Sequence, residues 1–282
     1  MNQIGTPRGA DGSATDGRPT AAVVIPALNE EAVIGDAVAE VQAAAARPDM
    51  PVRIAAVYVV DNGSTDATAA RAAAAGAVVV PEPRRGYGRA CLSGVLAADG
   101  VDLIVLLDSD RADNPSDLAR LVGPLLAGEA DLAIGSRTRG TVEAGALLPQ
   151  QRFGNWVAAR LLRVLFGVRV TDIGPFRVIR RDDLLALGMR EMTYGWSVEM
   201  IARAARHGLR VVEVPVSYRR RAGGESKVSG NLRASIRAGG RITATILRCA
   251  ITTRGERGRA GGIGPPATAP GLGAVGLPDG DR

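Results

Sequence analysis

The sequence contains few of the residues that build disulfide, zinc or nucleic-acid sites. Its 282 residues include two cysteines, one histidine and one lysine, and aromatic residues make up 3%. Cys91 and Cys249 lie far apart without the spacing of metal ligands, so we expect neither a disulfide framework nor a zinc site, and a reducing compartment. Nucleic-acid binding would require clustered aromatic side chains or a recognition helix, so the composition argues against that class.

Long apolar runs are also missing. No stretch of 18 consecutive apolar residues occurs, and the N-terminus lacks the charged and apolar blocks of a signal peptide. We therefore expect no membrane span and a cytoplasmic location.

What the sequence does contain is a large apolar fraction and an excess of arginine. Hydrophobic residues make up 46%, which is ample for a buried core, and the net charge is +6. The arginine reflects either codon bias or affinity for anions such as phosphates, nucleic acid or anionic lipid. The ends of the chain, residues 1–19 and 254–282, lack an apolar period and are predicted to be disordered. Residues 20–230 then form the folded domain, and residues 231–253 a basic amphipathic helix.

Predicted strands and helices alternate five times in the first half of the chain. Each strand is a short apolar run, and the segment after it carries apolar residues at helical spacing. This alternation predicts an α/β fold with a mostly parallel sheet flanked by helices. The predicted strands are residues 21–28, 52–61, 77–83, 101–108 and 130–137.

Acidic residues follow three of these strands, at the edge of a parallel sheet where ligands bind. Asp108 and Asp110 come directly after the fourth strand, and carboxylates at this spacing can converge on one Mg²⁺ or Mn²⁺ ion. The pair alone is a weak signal, since aspartates also form turns and cap helices, the role we assign to Asp113. Glu30 after the first strand and Asp61 at the end of the second strengthen the prediction of a ligand site.

The ordered motifs around these residues resemble the family 2 glycosyltransferases. They are VVIPALNEE, VVDNGSTDAT, LLDSD, AIGSR, TDIGPFRVIRR, GWSVEM, EVPVSYRRR and GESKVSG. The resemblance is closest to the branch that makes dolichyl- or polyprenyl-phosphate sugars, and it covers about residues 20–230. It implies the Rossmann-like GT-A fold in a single domain. It also implies inverting, metal-assisted transfer of a sugar from a nucleoside diphosphate to a polyprenyl phosphate.

The resemblance also implies a donor site. Pro26, Glu30 and Asp61 match positions that hold the nucleobase and ribose of the donor. Leu28 lies in the same motif, where the branch often has a tyrosine that stacks on the base, so the identity of the donor stays open. Asp108 and Asp110 match the aspartates that bind the metal, Mg²⁺ or Mn²⁺, and the diphosphate. Ala112 stands where a polar residue often completes the metal site, which leaves the third protein ligand open.

On the acceptor side, the resemblance implies three cationic residues. Arg137 and Arg152 match positions that face the acceptor phosphate, and Lys227 matches a lysine on a mobile loop near the same phosphates. A lipid phosphate is already anionic near pH 7 and needs no general base, whereas a hydroxyl acceptor would need one. Glu199 is the candidate base, although it is also placed to pair with Arg203 on the same helix. A nucleotide-sugar binding module without catalysis is the remaining alternative.

The predicted helix at 231–253 carries a rough apolar stripe beside several arginines. That pattern suits either a helix lying on an anionic membrane surface or a helix docked on the protein body, and Gly239 and Gly240 interrupt it. Trp156 and Trp196 are predicted to be packing residues rather than platforms for a sugar.

Overall fold

The computed structural model of the protein describes residues 17–223 and 232–260, which form one sheet with helices on both faces. The strands are β1 (Thr20–Ala27), β2 (Arg53–Asp61), β3 (Val78–Pro81), β4 (Leu103–Leu106), β5 (Leu132–Val142), β6 (Arg177–Arg180) and β7 (Val211–Tyr218). The helices are α1 (Ile34–Ala45), α2 (Thr68–Ala74), α3 (Tyr87–Ala97), α4 (Leu118–Leu126), α5 (Pro149–Phe166), α6 (Arg181–Ala186), α7 (Trp196–Arg206) and α8 (Leu232–Ala260).

The sheet has the strand order β3-β2-β1-β4-β6-β5-β7. All pairs are parallel except those of β6, which runs antiparallel to both β4 and β5. The predicted α/β fold with a mostly parallel sheet is confirmed, and each of the five predicted strands is present. Because β6 is reversed, the residues before it reach the same edge of the sheet as the carboxyl ends of the other strands.

Alternate residues of β1 enter two different apolar layers, because successive side chains of a strand point to opposite faces. Val24 packs in the layer that contains residues of α3, α5 and α7, and Val23 and Ile25 pack in the layer that contains α1 and α4. Burial on both faces explains why the sequence of β1 is a continuous apolar run rather than an alternation of apolar and polar residues. The sheet therefore holds the strand ends rigidly in one row.

The segments that lead from β1 into α1 and from β4 into α4 set where these two helices begin. Asn29 has a positive φ of 51°, and the carbonyl of Glu30 accepts hydrogen bonds from the N–H groups of Val33 and Ile34, so α1 begins only at Ile34. The 3₁₀ turn at Pro115–Asp117, which leads into α4, is capped by the side chain of Asn114. The assignment of Asp113 to that cap was therefore wrong.

The predicted basic helix is present as α8, which packs against α5 and α7. It extends to Ala260 and so includes the first residues of the predicted disordered tail. The rest of the two predicted disordered ends, residues 1–16 and 261–282, lies outside the described residues. Among the residues that are described, no helix combines the length and the apolar character needed to cross a membrane.

Candidate active site

A cavity of about 690 Å³ lies at the carboxyl edge of the sheet. Its floor is formed by residues that follow β1, β2 and β4, and its sides by residues from β5, α5 and α8 and from the segment after β7. Of the sequence-predicted site residues, those in this cavity are Pro26, Leu28, Glu30, Asp108, Asp110 and Arg137. The fold therefore brings together most of the predicted donor site.

Asp108 and Asp110 lie side by side on the cavity floor. Loss of surrounding water and the neighbouring Asp110 carboxylate raise the pKa of Asp108 to about 7. The hydroxyl of Tyr87 donates a hydrogen bond of 3.0 Å to Asp108 and opposes that rise. Because the two carboxylates repel each other and have lost surrounding water, a bound cation would stabilise their ionised forms.

A cationic side chain already contacts this pair. The Nε of Arg221 lies 3.2 Å from Asp110 Oδ2, and its Nη2 lies 3.8 Å from Glu30 Oε1. Glu30 and Asp110 are both buried, whereas the Arg221 side chain is one-third exposed. Arg221 thus links the ends of β1 and β4 through charge. It stands where the carboxylates would also attract a metal ion, and its own positive charge would attract a diphosphate.

The donor set fits a divalent metal that is held only partly by protein. The described residues contain no group of three or more His, Cys, Asp or Glu side chains that could hold a metal ion. Hard oxygen ligands from one or two carboxylates are the usual way that proteins hold Mg²⁺ next to a phosphate substrate, which supplies further ligands. Ala112 does not extend the set, because it is fully buried against Leu147 and Tyr218.

Arg137 lies in the cavity side but is not a free cation. Its guanidinium forms two hydrogen bonds, of 2.7 and 2.8 Å, with the carboxylate of Asp172, which precedes β6 and is fully buried. Asn155 on α5 donates to the same carboxylate, and the ring of Tyr218 lies 5.0 Å from the guanidinium carbon. Arg137 is therefore fixed in one orientation, with much of its charge balanced by Asp172.

Asp113 is buried beside this network rather than at a helix start. Its Oδ2 has no hydrogen-bond partner among the described residues. Burial raises its pKa well above the ordinary value, and the carboxylates of Asp108, Asp110 and Asp172 raise it further, while Arg137 opposes them. The site thus contains a third aspartate, which interacts electrostatically with Asp108 and Asp110. Sequence reasoning had assigned it to turn formation and helix capping.

Four predicted site residues lie outside the cavity or outside the described chain. Asp61 is at the end of β2, where its carboxylate accepts the backbone N–H of Ser64. Arg152 is exposed on α5, and Lys227 lies outside the described residues. Glu199 is buried; it binds Arg203 through one oxygen and two backbone N–H groups through the other. Both oxygens of its carboxylate therefore accept hydrogen bonds within the protein, which fits the predicted pairing with Arg203 rather than the role of a base.

The comparisons with known proteins agree with this geometry. The family model described as Glycosyl transferase family 2 matches residues 22–188. The chain belongs to this family. An uncharacterized glycosyltransferase of Mycobacterium tuberculosis is 44% identical over 215 residues, which cover 76% of this chain and 92% of the relative. The undecaprenyl-phosphate mannosyltransferase of Micrococcus luteus is 32% identical over 219 residues, which cover 72% of this chain and 86% of the relative.

Solved structures of another sugar-transferring enzyme share the fold. Glucosyl-3-phosphoglycerate synthase from Mycobacterium tuberculosis superposes with a TM-score of 0.64 at 26% identity, and the match covers 82% of this chain and 80% of that chain. Another structure of that synthase contains Mn²⁺, uridine diphosphate and glucosyl-3-phosphoglycerate. The resemblance inferred from the sequence motifs is confirmed, and the protein is a glycosyltransferase.

Sequence reasoning missed several residues of the site. Arg221 belongs to the quoted motif EVPVSYRRR, and the rule that ligands bind at strand ends could have singled it out because it follows β7. Tyr87 begins α3 and carries no local signal of its contact with Asp108. Asp172 could not be placed without knowing that β6 runs antiparallel.

Proposed function

We propose that this enzyme transfers a sugar from a nucleoside diphosphate to a polyprenyl phosphate and uses Mg²⁺ or Mn²⁺. One observation carries the choice of acceptor. Within the described chain, the carboxylates that line the cavity are Glu30, Asp108 and Asp110, all at the donor end. Its other polar lining includes arginines and amides, among them Arg85, Arg137 and Asn155, which suit an anionic acceptor that needs no base.

Asp108 and Asp110 would hold the metal ion, which when bound neutralises charge on the diphosphate leaving group. Arg221 lies within reach of the same charge and would bind the diphosphate once the metal replaces it next to Asp110. Tyr87 orients the Asp108 carboxylate through its hydrogen bond. These groups would stabilise the diphosphate as it leaves, and the hydrogen bond between Tyr87 and Asp108 is in place before the substrate binds.

The reaction needs no proton transfer at the acceptor. An acceptor phosphate oxygen forms a bond to the anomeric carbon, the bond from that carbon to the diphosphate breaks, and the nucleoside diphosphate departs with the electron pair. Inversion follows because attack and departure occur on opposite sides of the carbon. The chain's own task is to align the two anions and offset their repulsion, and Arg137, balanced by Asp172, supplies a fixed dipole for this.

A second candidate is transfer to a hydroxyl group of an acceptor that carries a phosphate elsewhere, because the solved relative named above is a glucosyl-3-phosphoglycerate synthase. That reaction deprotonates a hydroxyl group. Glu199, the sequence-predicted base, is engaged by Arg203 and by backbone N–H groups, which does not support that role.

A panel of donors and acceptors tests the proposal. Purified protein is incubated with UDP-glucose or GDP-mannose, with Mg²⁺ or Mn²⁺, and with undecaprenyl phosphate, undecaprenol or 3-phosphoglycerate. We expect transfer to undecaprenyl phosphate, loss of transfer in EDTA, and no product on undecaprenol. Transfer to 3-phosphoglycerate alone would overturn the lipid-phosphate assignment, and transfer that survives EDTA would overturn the metal assignment. A polyprenyl acceptor also requires the enzyme to work as a peripheral protein at a membrane.

A further inference from the structure

An aromatic pair lies exposed on α5. Phe153 is 66% exposed and Trp156 is 61% exposed, and their rings stack with centroids 6.1 Å apart. Val164, further along the same helix, is 69% exposed. Side chains this large are rarely exposed together on a soluble protein unless the surface binds something. The prediction that both tryptophans serve packing holds for buried Trp196 but was wrong for Trp156.

These residues share one face of the helix. Phe153, Trp156, Arg160 and Val164 follow one another at intervals of three or four residues, which aligns them along one side of an α-helix. The opposite side packs into the protein through Asn155, Ala158, Ala159 and Leu162. The exposed side of α5 is therefore a continuous strip of mixed apolar and basic character.

The charge on this helix has one sign. Its arginines are Arg152, Arg160 and Arg163, all exposed, and its sequence contains no acidic residue. None of the three forms an ion pair with a described residue, whereas exposed arginines elsewhere, such as Arg180 and Arg210, are held by carboxylates. Unpaired positive charge beside exposed aromatic rings favours a partner that is both anionic and apolar.

We propose that this strip, the α5 face (Phe153, Trp156, Arg160, Arg163 and Val164), docks on an anionic phospholipid membrane. Interfacial helices carry arginines or lysines next to tryptophan, phenylalanine and aliphatic residues, and the aromatic rings settle at the level of the lipid headgroups. A protein partner would also cover the apolar residues, but Arg160 and Arg163, which form no ion pair with a described residue, match a surface of lipid phosphates.

The sequence left α8 open between this role and docking on the protein body, and α8 packs against α5 and α7 of the protein body. Thr245, Ile246 and Cys249 of α8 are buried, and Thr245 donates a hydrogen bond to the buried carboxylate of Glu191. Among the α8 side chains that the structure describes, residues 238–252, Leu247 and Ile251 are the large apolar ones that are exposed. The membrane hypothesis therefore moves from α8 to its neighbour α5.

The α5 face adjoins the cavity. Gln150, Gln151, Gly154 and Asn155, from the first half of α5, line the cavity, while Phe153 and Trp156 of the same turns point outward. Docking through this face would bring the cavity next to the lipid headgroups. This consequence rests on the proposed polyprenyl-phosphate acceptor, whereas the docking itself does not.

Vesicle binding tests the proposal without any donor or acceptor. The full chain is sedimented with vesicles of phosphatidylcholine containing about one-third phosphatidylglycerol. We expect the F153S/W156S variant to bind at least about tenfold more weakly, because the apolar area of two rings no longer leaves water. The R160Q variant should bind about fivefold more weakly, and only when phosphatidylglycerol is present. The matched controls are L96S on α3 and R71Q on α2, exposed positions on other helices, which should bind like the wild type.

Tryptophan fluorescence identifies the face that touches lipid. The chain has two tryptophans, and Trp196 is buried, so quenching by brominated phospholipids should come from Trp156 and vanish in a Trp156→Phe variant. Binding without quenching of Trp156, or equal loss of binding in L96S and F153S/W156S, would overturn the proposal. A dimer in analytical ultracentrifugation that F153S/W156S dissociates, with no vesicle binding, would assign the face to a second copy of the chain instead.

A transfer assay separates this inference from the proposed function. With a short, water-soluble polyprenyl phosphate, F153S/W156S should keep wild-type transfer, and with undecaprenyl phosphate in vesicles it should lose about tenfold. Vesicle binding through Trp156 without transfer to any lipid phosphate would leave the docking intact and refute the proposed function. Transfer to lipid phosphate without vesicle binding would support the proposed function and refute the docking.

Discussion

Aspartates at the two edges of the sheet have opposite environments. At the amino edge, Asp131 precedes β5 and is held by Arg210 and Arg180, and the hydrogen bonds from Arg210 lower its pKa. At the carboxyl edge, burial and neighbouring carboxylates raise the pKa values of Asp108 and Asp113. The residue type is the same at both edges, and the partners differ.

The difference shows which charges hold the fold together and which are available to a ligand. At the amino edge, the carboxylates of Asp131 and Asp102 both have partners close by in space. Arginines bind Asp131, and Asp102 accepts hydrogen bonds from the backbone N–H and the hydroxyl of Thr20. At the carboxyl edge, acidic side chains face one another with less compensation from the protein. That imbalance costs stability in the free protein and is relieved when a cation binds.

The largest effect is expected for Asp110→Asn. This change removes one of two carboxylates in the proposed metal site, so kcat/KM for sugar transfer should fall about 1,000-fold. The matched substitution Asp131→Asn at the amino edge should leave kcat/KM within about twofold. If the two variants lose activity equally, the functional contrast between the edges is wrong.

Asp172→Asn tests the buried Arg137–Asp172 pair of the carboxyl edge. It leaves Arg137 buried without its carboxylate, which should lower the free energy of unfolding by about 3–5 kcal/mol in urea titrations. Asp131→Asn, whose arginine partners are substantially exposed, should cost about 1 kcal/mol. Equal losses in the two variants would mean that the Arg137–Asp172 pair contributes no more to the free energy of unfolding than an exposed ion pair does.

Tyr87→Phe should weaken metal binding about tenfold. The Tyr87 hydroxyl orients the carboxylate of Asp108, a proposed metal ligand, and loss of such a hydrogen bond typically lowers metal affinity by this factor. Titration of Mn²⁺ by isothermal calorimetry in the presence of UDP measures the change. Tyr58→Phe, on β2 and away from the cavity, is the control. An unchanged Mn²⁺ affinity in Tyr87→Phe would show that Asp108 does not depend on this hydrogen bond.

The smallest effects are those of pH, and they should differ in sign between the edges. The folded pKa of Asp131 lies below its unfolded value of about 3.9, so its stabilisation is present above that pH and is lost as the pH falls through the folded pKa. For Asp113 the folded pKa is raised, so folding is opposed increasingly as the pH rises above about 3.9.

Urea unfolding between pH 3 and 7 in EDTA measures both effects. Relative to Asp131→Asn, the wild type should gain stability as the pH rises. Relative to Asp113→Asn, it should lose stability over the same range. Parallel curves for the two variants would contradict the contrast between the edges.

Much of the donor side was predictable because its residues are close in sequence to strand ends. The strands preceding Glu30 and Asp108 are buried on both faces and read as unbroken apolar runs, and parallel strands put their carboxyl ends at one edge. Pairs such as Glu30 and Arg221 were not predictable, because their contact joins the first strand to the last. The placement of Lys227 remains a prediction outside the described residues.

The sequence by itself determined the alternation of strands and helices, the edge where ligands bind and, through its ordered motifs, the family. Those properties follow from local periodicity and chain direction. Only the tertiary structure decided that Asp113 is buried among carboxylates, that Asp172 balances Arg137, and that Trp156 faces outward. The first depends on the pairing of Asp113 with Tyr218 of β7, the second on the reversed strand β6, and the third on the packing of α5 against α7 and α8. Burial and charge partners are therefore properties of the folded neighbourhood rather than of the residue.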